Sequence, residues 1–217
     1  GTHLPFGDVK LKYLNASGTV SNYKRTLNMN DAVATVSFQR NQIAYTNEYF
    51  TSNPDEVSVV RLSANKKQSI SFRLSMDMLR HHSITASDYF LDILGDARFD
   101  KNGAGGVKFR GLVRVLPKGG SVSHDASSIT VKDADEVVVL VDIRTDFQCP
   151  DYQTRCDKTI REAATKSYAV LKKNHMADFS RIFSRMDIDL AGNLQADNKT
   201  ETLFEAARKG SPSAAFD

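Results

Sequence analysis

The residues best suited to chemistry in this 217-residue chain are its five histidines, its two cysteines and its scattered acids. No two histidines have the H-x-x-x-H or H-x-H spacing that brings two imidazoles to one metal ion. His81 and His82 are adjacent, and adjacent side chains of a strand point to opposite faces. We therefore expect neither a metal site nor a cofactor.

The two cysteines, Cys149 and Cys156, lie seven residues apart in the stretch CPDYQTRC. Two cysteines are too few for a structural zinc site, and the spacing is not the C-x-x-C of redox proteins. Neither cysteine has a nearby basic partner of the kind that would mark it as a nucleophile. Two interpretations stay open: a local disulfide formed in an oxidising compartment, or two unpaired thiols.

The remaining catalytic signatures are absent from the sequence. The stretch DKNGAGG, residues 100–106, begins like a calcium-binding loop but lacks its later ligands and its closing glutamate. There is no phosphate-binding loop and no G-x-S-x-G elbow. The acids fall in turns or alternate along strands, where solvation is their ordinary role. We therefore assign no catalytic residue to this chain.

Aromatic residues give a different hypothesis, contact with a sugar. Tyr45, Tyr49 and Tyr89 could present rings for stacking on a carbohydrate. Aromatic side chains in strands more often serve in the core or in cross-strand packing. Both interpretations need a scaffold of strands.

Composition restricts the class of protein. The chain has 29 basic and 26 acidic residues, interspersed rather than gathered into a stripe, so a nucleic-acid partner is not expected. No apolar run approaches the roughly 18 residues of a membrane span, and the first residues do not resemble a signal peptide. Either the protein is cytosolic or a signal has been removed.

Period-two patterning predicts nine strands between residues 9 and 144, separated by turn-forming stretches. Short strands in succession, without helices between them, predict a mainly β fold, an antiparallel β-sandwich over residues 1–148. The nine predicted strands are residues 9–14, 32–40, 43–51, 57–64, 69–76, 88–94, 107–116, 128–134 and 136–144.

Residues 149–217 have a different pattern and predict a helical linker. Apolar residues recur every three or four positions over residues 158–186, which indicates one long helix or two in succession. The stretch MDIDL, residues 186–190, alternates like a strand returning to the sandwich. Residues 199–209 then predict a short helix, with Gly210 just past its end.

Several stretches together resemble glycoside hydrolase family 95, the α-L-fucosidases and α-L-galactosidases. LPFGD, Y-x-R-x-L at residues 23–27 and R-L-x-A at residues 61–64 are typical of that family. The chain departs from the family pattern at Asn28, Asn30 and Asn47. The matching residues of the longer central motif are Tyr45, Glu48, Phe50, Ser52, Pro54, Asp55 and Val57.

The most specific part of the resemblance is the stretch SYAVLKKNHMADFSRIFSRMDIDL, residues 167–190. The resemblance marks five of its residues as belonging to the linker and its interdomain contacts: Tyr168, His175, Asp178, Phe179 and Phe183. We expect an apolar stripe of Phe179, Ile182, Phe183 and Met186 to dock on the sandwich. We expect the opposite face, with His175 and parts of residues 199–209, to be partly exposed.

The resemblance implies a sandwich of the galactose-mutarotase-like supersandwich type, a helical linker and an α/α-barrel catalytic domain. It implies inverting hydrolysis of terminal α-L-fucosyl or α-L-galactosyl linkages. The catalytic residues would belong to the barrel, which has no counterpart in this chain, and a first segment of the sandwich would be missing too. The implied partners are that barrel in cis and, through the whole enzyme, a glycan.

On this basis the fragment alone should be inactive. The parent is expected in the periplasm, on the cell surface or in the medium of a bacterium, with a cytoplasmic location still open. The alternative is a stand-alone carbohydrate-binding sandwich, and a protein-interaction module ranks third.

Overall fold

In the computed structural model, the described parts of the chain are residues 5–14, 16–98, 105–147, 149–187 and 199–209. They form twelve strands followed by three helices. The strands are β1 (Asp8–Tyr13), β2 (Val20–Asn28), β3 (Val33–Arg40), β4 (Ile43–Ser52), β5 (Val57–Ala64), β6 (Ile70–Asp77), β7 (His82–Ser87), β8 (Phe90–Asp96), β9 (Lys108–Lys118), β10 (Ser121–His124), β11 (Ser128–Ala134) and β12 (Glu136–Thr145). The helices are α1 (Tyr152–Ala164), α2 (Tyr168–Phe183) and α3 (Thr200–Arg208).

The strands form two antiparallel sheets, which confirms the predicted mainly β sandwich. The smaller sheet has the order β1-β6-β11-β10, and the larger has the order β2-β3-β4-β5-β12-β9-β8-β7. All nine predicted strands are present. The structure adds β2, β7 and β10, which the sequence pattern did not indicate.

The main core lies between the two sheets. It takes every second residue of the central strands, as the period-two pattern requires. In β6 the inward residues Ile70, Phe72 and Leu74 are fully buried, and Ile93 and Val139 pack against them from the larger sheet.

A second core lies on the opposite face of the larger sheet, which we call the outer face. The run Val137 to Leu140 in β12 shows why both faces are covered. Val137 and Val139 belong to the core between the sheets, whereas Val138 and Leu140 pack under the helices with Ile160 of α1. An unbroken apolar run in a strand is typical of a sheet that is buried on both sides.

The stretch after Pro150 forms two helices in succession. Helix α1 ends at Ala164, and the next two backbone N–H groups close its last turn: that of Thr165 donates to the carbonyl of Glu162 and that of Lys166 to the carbonyl of Ala163. Ser167 then starts α2, since its carbonyl accepts the backbone N–H of Leu171. None of the described helices is both long and apolar enough to cross a membrane.

The chain divides into two compact units, Gly1–Ser180 and Arg181–Asp217. In the second unit α3 confirms the short helix predicted for residues 199–209. Of the predicted returning strand, Met186 and Asp187 have no regular secondary structure, and residues 188–190 lie outside the described residues.

The outer core should contribute strongly to stability. Ile160 is fully buried there, so Ile160→Ala removes apolar contacts and leaves a cavity. We expect the free energy of unfolding to fall by about 2–5 kcal/mol, measured by urea denaturation. The control is Val170→Ala on the exposed side of α2, which should change it by less than about 0.5 kcal/mol. Equal effects of the two substitutions would contradict the outer core.

Candidate functional site: the docked linker

The described residues contain no group of three or more histidine, cysteine or acidic side chains that could hold a metal ion. Their densest polar chemistry lies instead where α1 and α2 meet the outer face of the larger sheet. Three ion-pair networks join the helices to the strands there. We treat this contact as the candidate functional site.

The first network surrounds Asp55, in the turn between β4 and β5. Its buried carboxylate accepts hydrogen bonds from Lys166 Nζ at 2.6 Å, Ser52 Oγ at 2.6 Å and Asn174 Nδ2 at 3.1 Å. Burial alone would raise the pKa of Asp55, but Lys166, Ser52 and Asn174 outweigh it and hold the pKa below its ordinary value. One carboxylate thus fixes both the break between the helices and the middle of α2.

The second network is built on Glu48 of β4. Glu48 accepts from Arg61 Nη1 at 2.8 Å and from Lys172 Nζ of α2 at 2.7 Å. Arg61 also donates to Glu136 at 3.0 Å, and its guanidinium lies 4.8 Å from the centre of the Tyr168 ring. Burial raises the pKa of the Tyr168 hydroxyl, and so does the nearby Glu48 carboxylate. Tyr168 is therefore a neutral ring packed beneath a charged network.

The third network holds α1 and consists of two separate clusters of ion pairs. Glu56 accepts from Arg144 Nη2 and from Arg155 Nη2, each at 3.1 Å. Arg110 of β9 donates to Asp92 of β8 and to Asp157 of α1, each at 2.7 Å. Arginine suits these positions because its planar fork binds two acceptors at once.

His175 contributes to docking in a different way from that expected. It is 6% exposed, and its ring stacks on Phe50 with centroids 4.8 Å apart. Its Nε2 lies 3.0 Å from the carbonyl oxygen of Asp31 and 3.3 Å from that of Ala32. Two carbonyl neighbours require Nε2 to carry the hydrogen. The ring thus joins α2 to the turn between β2 and β3.

The prediction that His175 is partly exposed is therefore wrong, because two carbonyls satisfy its ring in the core. Of the predicted apolar stripe, Phe179 lies in the docked part of α2, whereas Ile182, Phe183 and Met186 belong to the second unit. The fully buried residues of α2 include Leu171, one turn before His175, whereas Ile182 and Met186 are 58% and 74% exposed. Parts of α3 are exposed as expected, with Phe204 at 53%.

Of the predicted linker markers, four lie in the docked part of α2. Tyr168 and His175 pack on Phe50, Phe179 stacks on His175 at 6.2 Å, and Asp178 accepts from Asn53 Nδ2 at 3.2 Å. Phe183 belongs to the second unit and is 41% exposed.

Both cysteines are free thiols, so the disulfide alternative is not formed in the structure. Cys156 is fully buried, with its Sγ 3.7 Å from the carbonyl oxygen of Asp142. Burial raises the pKa of this thiol to about 12, and the nearby Asp142 adds to the effect. A protonated, enclosed thiol is a packing residue rather than a nucleophile.

The three tyrosines do not form one sugar-binding surface. Tyr45 is buried and stacks on Phe38 at 5.0 Å, so it is a core residue, and Tyr49 on the same strand is half-buried. Tyr89 is 45% exposed but precedes β8, four strands away from β4. At about 4.8 Å per strand that is roughly 19 Å across the sheet.

Sequence reasoning missed that the acids hold the linker. Glu48, Asp55 and Arg61 all fall within the motifs that carry the family resemblance. Their partners, Lys166 and Lys172, lie more than a hundred residues later, so local spacing carried no signal of the pairing. Charged residues inside otherwise β-patterned motifs were the one available indication.

The sheets and the docked helices define a β-sandwich domain with a helical linker built onto its outer face. A family model described as "Glycosyl hydrolase family 65, N-terminal domain" matches residues 1–150. The chain belongs to this family. The match stops just before α1, so it covers the sandwich and not the linker.

Two curated relatives extend the similarity into the linker. The chain is 28% identical to "Alpha-L-fucosidase 2" of Arabidopsis thaliana over 94% of its own length and 27% of the relative's. It is 26% identical to "Probable alpha-fucosidase A" of Aspergillus niger over 89% of its own length and 26% of the relative's. The resemblance to α-fucosidases is thereby confirmed, and the chain spans about a quarter of the length of these relatives.

Among solved structures, the chain is similar to "Putative kojibiose phosphorylase from human microbiome". The TM-score is 0.52 at 12% identity, over 82% of this chain and 28% of that one. At this identity the likeness concerns the fold alone. The sequence comparisons thus place the chain in the family of glycosyl hydrolase family 65 N-terminal domains, with similarity to two α-fucosidases.

The Asp55 network makes stability depend on pH. The pKa of Asp55 is lower in the folded protein than in the unfolded chain, so its ionisation stabilises the fold. This contribution to the free energy of unfolding is fully present above the ordinary aspartate pKa of about 3.9, and it is lost as the pH falls from there through the lower pKa of the folded state. Asp55→Asn should lower the free energy of unfolding at pH 7 by about 2 kcal/mol, with a difference that shrinks below about pH 4. Urea denaturation at several pH values measures this.

The control for that experiment is Asp88→Asn, at an exposed turn position, which should leave the free energy of unfolding nearly unchanged at every pH. A constant loss in Asp55→Asn from pH 7 to pH 3 would show that the carboxylate charge is not what holds the linker.

The two thiols should differ in reactivity. Cys149 is half-buried and Cys156 is fully buried with a raised pKa, so titration with a thiol reagent should detect one thiol in the native protein and two in denaturant. Cys149→Ser should abolish the native reaction. Finding no reactive thiol in denaturant would instead establish a disulfide.

Proposed function

We propose that this chain is the non-catalytic N-terminal part of a glycoside hydrolase that removes terminal α-L-fucosyl or α-L-galactosyl residues with inversion. The observation that carries the proposal is the match of residues 1–150 to a domain described as the N-terminal domain of a hydrolase family. The names of the two fucosidase relatives support the sugar class. The catalytic groups are proposed to lie in an α/α barrel outside these 217 residues.

The docked linker supports a scaffold role. A linker that ended in a flexible tether would leave the next domain free to move. Here the segment from Lys166 to His175 is fixed to the sandwich by the carboxylates of Asp55 and Glu48 and by the His175 ring. The proposed partner is therefore the catalytic barrel in cis, and the glycan is a partner only of the whole enzyme. The location in the periplasm, on the cell surface or in the medium remains a prediction.

A stand-alone carbohydrate-binding function has less support. It depended on a surface formed jointly by the tyrosines, yet Tyr45 is in the core and Tyr89 lies on a distant part of the sheet. No described observation favours this function over the scaffold.

The test compares the 217-residue chain with the full reading frame that contains it, using a fucosyl-α-1,2-galactoside. We expect no hydrolysis by the isolated chain and release of β-L-fucose, the inverted anomer, by the full protein, followed by proton NMR. Tyr49 lies away from the linker contact, so Tyr49→Ala in the full protein should keep kcat/KM within about twofold of the unchanged protein's value. Hydrolysis by the isolated chain would overturn the assignment of the catalytic groups to a barrel.

A further inference from the structure

Arg114 is a cation without an anion. It lies on the outer face of β9, half-buried, with its guanidinium carbon 4.9 Å from the centre of the Phe90 ring on β8. Its Nε is enclosed and makes no hydrogen bond within the described residues. A donor that is taken out of water without an acceptor is costly, and such groups are rare in folded proteins.

Arg110, four residues earlier on the same face, provides an internal comparison. It is matched by Asp92 and by Asp157 of α1, and its pKa is raised, first by the hydrogen bond to Asp92. One turn further along the same side of α1 from Asp157 stands Arg161, an exposed residue. On α1, the residue that acts on Arg110 is an acid, Asp157, whereas the residue that acts on Arg114 is a second cation, Arg161.

Arg161 is close enough to Arg114 to affect its pKa. Burial lowers its pKa, and repulsion from Arg161 lowers it further. Neither side chain has an acidic partner in the described parts of the chain. Two neighbouring arginines beside an aromatic ring, with no compensating acid, create a local positive potential at the side of the sheet.

We propose that Arg114 and Arg161 form a binding site for an oxyanion: a carboxylate, sulfate or phosphate group held between the two guanidinium groups beside Phe90. The planar fork of arginine binds such groups through paired, charge-assisted hydrogen bonds. The bound group would accept from guanidinium N–H groups of Arg114 and Arg161 and would offset the repulsion between the two cations. This site is separate from the proposed hydrolase function and does not depend on it.

The neighbouring residue indicates which oxyanion fits best. Tyr89 is 45% exposed and directly precedes Phe90. Its backbone carbonyl accepts the N–H of Val115 at 2.9 Å, so its backbone lies beside that of Arg114. Tyr89 thus adjoins the site through its backbone, and an exposed aromatic side chain at this position suits a sugar ring that carries the charge. A sugar acid should therefore bind more tightly than a free inorganic ion.

The experiment measures binding to the 217-residue chain by calorimetry, with sodium sulfate and sodium glucuronate as probes and the ionic strength held constant with sodium chloride. We expect saturable binding of both probes, weakened about tenfold or more in Arg114→Met and in Arg161→Met. Arg114→Lys keeps the charge but loses the planar fork, so its affinity should lie between those of the unchanged chain and Arg114→Met. The matched control is Arg25→Met, an exposed arginine on β2, which should bind like the unchanged chain.

The two probes separate the sources of the anion. Tyr89→Ala should weaken glucuronate binding several-fold and leave sulfate binding unchanged if a sugar acid is the ligand, whereas equal binding of the two probes would assign the site to a free ion. Because Arg161 is exposed, its variant should fold even if Arg114→Met does not, which far-UV circular dichroism checks. Absence of binding by the unchanged chain, or equal binding by Arg161→Met and Arg25→Met, would overturn the proposal.

Discussion

The larger sheet must be covered on both faces, and most of the structure follows from this constraint. Its central strand, β12, is apolar without interruption from Val137 to Val141, so no orientation of the strand could leave one face in water. The smaller sheet covers one face with the core around Phe72, and α1 and α2 cover part of the other with the core around Ile160. The helices therefore complete the domain rather than merely follow it.

Apolar contact alone would not determine where the helices lie, because the hydrophobic effect has no direction. The carboxylates of Glu48, Asp55 and Glu56 supply that direction, since each accepts from a cation at a defined point of the linker. Desolvation offsets much of the attraction within such a pair, but removing one partner leaves the other charge buried and uncompensated. Acids that in isolation resemble candidates for catalysis are thus occupied in holding one element against another.

The strands were predictable wherever burial imposes a pattern. All nine sequence-predicted strands are present, whereas β2 was missed because every one of its residues is exposed and VSNYKRTLN has no sustained alternation. β10 has only four residues, too few to show a period. The helical rhythm of residues 158–186 was recognised, but its buried face was misplaced, because a histidine satisfied by the carbonyls of Asp31 and Ala32 carries no apolar signal. Pairings such as Asp55 with Lys166 join distant parts of the chain, which one sequence without its fold does not reveal.

The position of β12 also bears on the order in which the molecule can assemble. Among the described strands it is the last to be synthesised, yet it lies between β5 and β9 in the middle of the larger sheet. Until it is made, strands β2 to β5 and β7 to β9 can form only as two separate hairpin arrays, each with an open edge. One late strand then joins the halves, and the segment synthesised directly afterwards, α1, covers the surface this creates. The nascent chain thus exposes its most apolar strand only briefly, because its covering helix follows within a few residues of translation.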